Sequence, residues 1–260
     1  MSNLLRSDFY RLFKSRSYYI CTFILVFISA INAFITRWSY DLIVGSGPDS
    51  VSLAPWFTDG VTNGLTLIAS SNLMLVMAIV ISIFVASEYS HGTMKNTVSK
   101  GFSKYKIYVS KIITMTAASF ITLLLVFLFG MITGAIAFGK LGAIDGHAFM
   151  LLGIQLLLHA ALAAYFIMVA FLIRNSGGAV AINVVLSVIP LGMLVYQILE
   201  LIFKNKIHFT NYSLYYNINY FSPTASIGGT DILRAVIVAL VMLAVTTALG
   251  ILAFREMDVK

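Results

Sequence analysis

Of the 260 residues, 60% are hydrophobic and only 10% are charged, and the mean hydropathy is +0.94. A soluble domain carries roughly 25% charged residues because its surface faces water, so these proportions exclude a soluble globule. No stretch is long and polar enough to form a separate soluble domain, and residues 1–260 read as one all-α membrane domain with a formal charge of +7.

An ionised side chain at the bilayer centre costs at least about 2.5 kcal/mol on insertion scales, so membrane spans are sought in runs free of Asp, Glu, Lys and Arg. In residues 1–16, Leu5, Phe9, Leu12 and Phe13 fall on one helical face, with Arg6, Tyr10, Arg11 and Lys14 turned toward the other. This pattern predicts an amphipathic helix lying on the inner leaflet. The apolar run that follows is too long for a signal core and precedes no small-residue cleavage site, so 17–36 is expected to remain as the first span. Cys21 lies inside it as the single cysteine, which excludes an intramolecular disulfide and a multi-cysteine zinc site.

The second predicted span is 62–87. A polar connection from Glu88 to Lys111 follows it. Thr93 as N-cap and Gly101 as C-cap bracket about two helical turns, and Ser103 can cap the next helix, whose basic first turns stay in the cytoplasm. The third span, 112–138, contains Gly130 and Gly134, a small-xxx-small spacing that lets another helix approach closely. Gly134 to Lys140 also imitates the start of a phosphate-binding P-loop. Leu141 then stands where Ser or Thr must hold magnesium, and the strand-to-helix context is missing, so the likeness is coincidental.

Spans at 148–173 and 177–199 come next, and 235–254 is the last. Between the fifth and sixth, residues 207–230 are uncharged but rich in Asn, Gly, Pro and Tyr, an interfacial or re-entrant composition rather than a spanning one. Each span offers the roughly 20 residues needed to cross about 30 Å of hydrocarbon. With both termini cytoplasmic, twelve basic residues lie inside and five outside, as the positive-inside rule requires. Segments 48–59, 140–147 and 204–230 are then external, and 88–106, Arg174 and the tail from Arg255 internal. Topology and an anionic leaflet account for the basic charge, with no need for nucleic acid.

The six spans hold no carboxylate or basic residue, which removes the ionisable groups that intramembrane proteases, proton-coupled carriers and ion pumps place at depth. Their neutral polar residues include Asn72, Gln155, His159, Asn183 and Gln197, candidates for interhelical hydrogen bonding or a substrate pathway. The four histidines are scattered without ligand spacing, which argues against a metal site.

The connection after the second span resembles the signature of ABC-2 type permeases, the membrane subunits of bacterial ABC transporters. The matching positions are Glu88, Gly92, Thr93, Lys95, Ser99, Gly101, Ser103, Lys104 and Lys111. Lys104 departs from the Arg more frequent in that family, so a bidentate role is not carried over. The resemblance extends to chain length, the six spans and the amphipathic N-terminal helix. It implies an ATPase-coupling surface formed by Glu88, Gly92, Thr93, Met94, Lys95, Val98, Ser99 and Lys100. It further implies two copies of an ABC ATP-binding subunit, which bind the ATP and magnesium, and a second permease subunit, identical or related. No cofactor is expected in this chain, and no catalytic site. By analogy the cargo is a peptide or amphipathic compound, as in antimicrobial-peptide (lantibiotic) export or immunity, at the bacterial cytoplasmic membrane. A transport-inactive sensor or scaffold subunit and an intramembrane enzyme are the other classes considered.

Overall fold

A computed structural model describes residues 1–44, 59–188, 191–203 and 208–257, and all regular structure among them is helical. The helices in chain order are α1 (Ser2–Lys14), α2 (Arg16–Val44), α3 (Gly60–Ile68), α4 (Ser71–Ser90), α5 (Thr93–Ser99) and α6 (Lys104–Phe138). They continue with α7 (Gly146–Ile173), α8 (Ser176–Val188), α9 (Leu191–Ile202), a 3-10 turn at Phe209–Tyr212, α10 (Leu214–Tyr220) and α11 (Gly229–Glu256).

Five of these, α2, α4, α6, α7 and α11, are long and apolar enough to cross a membrane. That is one fewer than the six spans expected. Within the predicted span 177–199 the described residues form α8 and α9, of 13 and 12 residues, each too short to cross 30 Å alone. Residues 189–190, which fall between them, lie outside the described residues, as does most of the segment 48–59. The predicted span 62–87 is divided into α3 and α4 at Ala69 and Ser70. There the Ser70 hydroxyl donates to the Leu67 carbonyl at 2.6 Å and closes the end of α3.

Glycine allows α3 to pack backbone to backbone on the second half of α6. A Cβ on Gly64 would stand 2.7 Å from the Phe127 carbonyl oxygen, and one on Gly134 3.0 Å from the Gly60 Cα. Gly60 and Gly64 are therefore the partners of the Gly130–Gly134 pair. Asn63 seals the contact by donating to the Gly130 carbonyl at 2.7 Å. The P-loop-like run is helix to Phe138, capped by Gly139 at φ 69°, so it is not the loop that such a motif requires.

The two ends of the bundle are built from different parts of the chain. At one, Lys104 at the start of α6 donates to the carbonyls of Arg255 and Met257 at the end of α11, at 2.9 and 2.5 Å. This places a cation where a helix C-terminus favours one. Close by, the Phe171 ring of α7 lies 4.8 Å from both Tyr108 of α6 and Phe254 of α11. At the other end, Asp59, Lys140, Asp145, His147 and Pro223 line one polar cleft of about 580 Å³. The amides of Gly60 and Val61 bind the carbonyls of Lys140 and Leu141 there, both at 2.9 Å. Asp145 caps α7 by accepting from the Ala148 amide at 2.9 Å.

Candidate functional site

The end that carries α5 also carries a cluster of four charged side chains drawn from three helices, three of them buried and Arg11 partly exposed. Asp8 of α1 and Glu88 of α4 are both 5% exposed, and Lys111 of α6 is 3% exposed. The Lys111 ammonium pairs with Glu88 at 2.5 Å and also with Asp8. Arg11 pairs with Glu88 from the other side and donates to the Phe84 carbonyl at 2.9 Å, its guanidinium lying 4.0 Å above the Phe84 ring. Ser110 completes the shell by donating to Asp8 at 2.6 Å. Two carboxylates thus meet two cations, which is what allows Asp8, Glu88 and Lys111 to leave water together while Arg11 stays partly exposed.

Asp8 is the member that sequence reading missed, and with it the side of α1 that packs. The expected apolar face held Leu5, Phe9, Leu12 and Phe13. The buried positions are instead Leu4, Asp8 and Leu12, with Phe13 48% exposed. These three recur every fourth residue, one stripe of a helix. A carboxylate in the middle of an apolar stripe signals a buried cation elsewhere in the fold. Docking of α1 onto α6 through Asp8 follows from that pair.

From this cluster the chain turns directly into α5. Gly92 is its N-cap, in the left-handed conformation at φ 67° that glycine adopts at no steric cost. Thr93 is therefore the first helical residue and not the cap that was expected. Its hydroxyl donates to the Glu88 carbonyl at 3.2 Å and ties α5 back to α4. Lys100 is the C-cap, and Gly101, at φ 84°, follows it. Ser103 caps α6 as expected, accepting from the Lys106 amide at 3.4 Å.

Met94 is 1% exposed and belongs to the core of the chain, with Val98 packed against the same core. These two side chains, together with Glu88, were expected on the partner-facing surface. They correct that expectation: the apolar side of α5 is spent within this chain. Thr93, Lys95, Asn96, Ser99 and Lys100 are the exposed positions. The outward face of α5 is therefore polar and basic.

The neutral polar residues of the spans divide into two groups. Asn183 is buried and donates to the Ser82 hydroxyl at 2.8 Å and the Phe166 carbonyl at 3.0 Å, so that one amide joins α8, α4 and α7. Gln155 is buried and donates to the carbonyls of Ile218 and Phe221 at 2.8 and 2.9 Å, holding the end of α10 against α7. The Gln155 backbone carbonyl accepts from the His159 ring Nδ1 at 2.8 Å. Asn72 and Gln197 are exposed, not buried between helices. Asn72 follows the α3–α4 break, and Gln197 lies on α9.

Among curated proteins none matches the sequence. Residues 4–190 match the family described as ABC-2 family transporter protein, a stretch that runs from α1 through α8 and contains the charge cluster and α5. The match covers well over half of the chain, and a multi-pass helical membrane domain with a short helix held at one end is its structural counterpart. The chain belongs to the ABC-2 transporter family.

Proposed function

We propose that this chain is the permease subunit of an ATP-driven ABC transporter, that it docks its ATPase through the exposed face of α5, and that it has no catalytic site of its own. The observation that carries this reading is the construction of α5. Met94 and the Thr93 hydroxyl fix one side to the bundle, while Lys95, Ser99 and Lys100 stand in solvent. A short helix anchored in this way is suited to receive a push from a partner and pass it inward. The outward lysines call for an acidic or carbonyl-rich groove on that partner, an arrangement in which charge steers encounter and sets register. ATP and magnesium are then held by the ATPase, in two copies, and a second permease copy or relative completes the pathway.

In this reading the chain crosses the bilayer six times, with both termini cytoplasmic. The sixth crossing is supported by where the helices start. α8 follows Ile173 and Arg174 at the end that carries α5, whereas α11 begins just after Pro223, which lines the cleft at the opposite end. The chain must travel between the ends in that interval, and the stretch that holds α8 and α9 is the available crossing. A peptide or other amphipathic compound, as in antimicrobial-peptide export or immunity, is the proposed cargo, and the bacterial cytoplasmic membrane the proposed site.

The test is the double variant Lys95→Glu/Lys100→Glu, co-expressed with the cognate ATPase. The permease is expected to stay monodisperse in detergent, because exposed substitutions change stability by roughly 0.5 kcal/mol or less, while the ATPase no longer co-purifies and transport stops. Full co-purification and transport in that variant would remove α5 as the docking helix.

A further inference from the structure

We propose that the cleft between α1 and α4 binds the phosphate headgroup of an anionic phospholipid from the adjoining leaflet. The cleft has a volume of about 490 Å³, and its walls include Tyr10, Arg11, Lys14 and Ser15 from the α1 side and Phe84 and Ser87 from α4. No carboxylate lines it. The donors face an apolar wall, the division of surface that a charged headgroup on a hydrocarbon chain requires.

The charge balance favours an anion. Within the buried cluster Asp8 and Glu88 are matched by Lys111 and Arg11, so Lys14 is surplus. It is exposed, and among the described residues no carboxylate pairs with it. Its ammonium donates to the Tyr10 hydroxyl at 3.1 Å, and two of its three protons remain free. The Arg11 guanidinium is pinned by Glu88 and the Phe84 carbonyl, yet its side chain is 38% exposed. Its charge is balanced by Glu88, and its remaining N–H groups are donors that do not have to be ordered when a ligand arrives.

Position decides for a lipid over a soluble anion. The cleft opens where α2 begins, and α2 presents Tyr19, Ile20, Phe23, Ile24 and Phe27 outward, each at least 46% exposed. Acyl chains attached to a phosphate in the cleft would lie along this apolar surface. Basic pockets between helices at the membrane surface are suited to anionic headgroups. The inference rests on the membrane placement of α1 and α2 and is independent of ATPase docking.

The experiment uses the full chain purified in detergent and delipidated, then titrated with phosphatidylglycerol or phosphatidylcholine and read by native mass spectrometry. Phosphatidylglycerol is expected to be retained in preference to phosphatidylcholine. Lys14→Gln should weaken that retention about fivefold, the loss of one cation near the surface, and Lys14→Arg should restore it. Lys106→Gln, which removes an exposed lysine at the same end of the bundle but outside the cleft, should leave it unchanged. Thermal melting of the three variants should match the wild type, since all the substituted side chains are exposed. Equal retention of the two lipids, an equal loss in Lys106→Gln, or displacement of phosphatidylglycerol by millimolar inorganic phosphate would each overturn the proposal.

Discussion

Replacing Lys111 by Met should be among the most destabilising single changes in this chain, and its size follows from what is left behind. Lys111 is 3% exposed and serves both carboxylates. Without it, Glu88 keeps Arg11, but Asp8 keeps only the Ser110 hydroxyl. Removing one partner of a buried pair costs about 3–5 kcal/mol. Melting temperatures of chains of this size shift by roughly 2–4 °C per kcal/mol, so the detergent-purified variant should melt roughly 10 °C below the wild type. Asp8→Asn is milder, about 1–2 kcal/mol, because Lys111 retains Glu88 and the amide can still pair with Ser110. The double variant Asp8→Asn/Lys111→Met should cost less than the sum, since the Asn leaves no orphaned charge. A coupling of about 0.5–3 kcal/mol is expected for residues in contact. The measurement is the fraction of monodisperse protein surviving a temperature series. A Lys111→Met melt within about 2 °C of wild type, or strict additivity in the double variant, would refute this account of the cluster.

Met94→Asp should abolish folding and not merely docking, losing about 3–5 kcal/mol in the same thermal assay, because the residue is 1% exposed; a stable, monodisperse variant would put that side chain on the partner-facing surface after all. Gly64→Val should destabilise by about 1–3 kcal/mol through overpacking, since its Cβ would stand 2.7 Å from a backbone carbonyl that cannot step aside; an unchanged melt would show that α3 does not rest on α6. In a Cys21→Ala background, cysteines at Ala143 and Ser226 should react with an impermeant thiol reagent in intact cells, whereas a cysteine at Ser99 should react only after permeabilisation. The reverse pattern would invert the topology.

Much of the bundle was legible because charge is excluded from hydrocarbon over long stretches. The uncharged run before Arg174 predicted 148–173, and α7 is Gly146–Ile173; Ser103 announced the start of α6, which is observed at Lys104. The same criterion joined α3 to α4, because no charge interrupts 62–87, although Ser70, Ser71 and Asn72 together form the polar cluster that marks a turn. Asp8 was harder to see. Its helix could be drawn with an apolar face on either side, and its partner lies 103 residues away, a distance over which no local pattern reports. Met94 was undetermined for a related reason: a seven-residue helix with two apolar side chains shows which face is apolar but not what covers it, whether the chain itself or a partner.

The cluster and α5 meet in a single residue. The Glu88 carbonyl accepts the Thr93 hydroxyl of α5, while its carboxylate holds Lys111 of α6 and Arg11 of α1. Main chain and side chain of one residue therefore link α4 to three other helices. A partner that displaces α5 must either break the Thr93 bond or carry Glu88 with it. Breaking a neutral hydrogen bond costs only about 0.5–1.5 kcal/mol, far less than separating the buried charges, but Met94 resists independent motion of α5 because its side chain is packed within the bundle. The combination favours movement of α5, the end of α4, the start of α6 and α1 as one rigid unit. Lys104 extends that unit to the C-terminal end of α11 through the Arg255 and Met257 carbonyls. The α8–α9 pair is attached differently: its buried hydrogen bonds to the bundle are neutral, from the Asn183 amide to Ser82 and Phe166 and from the Ser82 hydroxyl to the Ala179 carbonyl at 3.2 Å, one turn and more away from the charged end. Relative motion on docking is therefore expected between the charged unit and α8–α9, with the hinge at the Asn183–Ser82 contact. Asn183→Ala should loosen that hinge, uncoupling transport from ATP hydrolysis while ATPase co-purification persists; tightly coupled transport in Asn183→Ala would place the moving boundary elsewhere in the bundle.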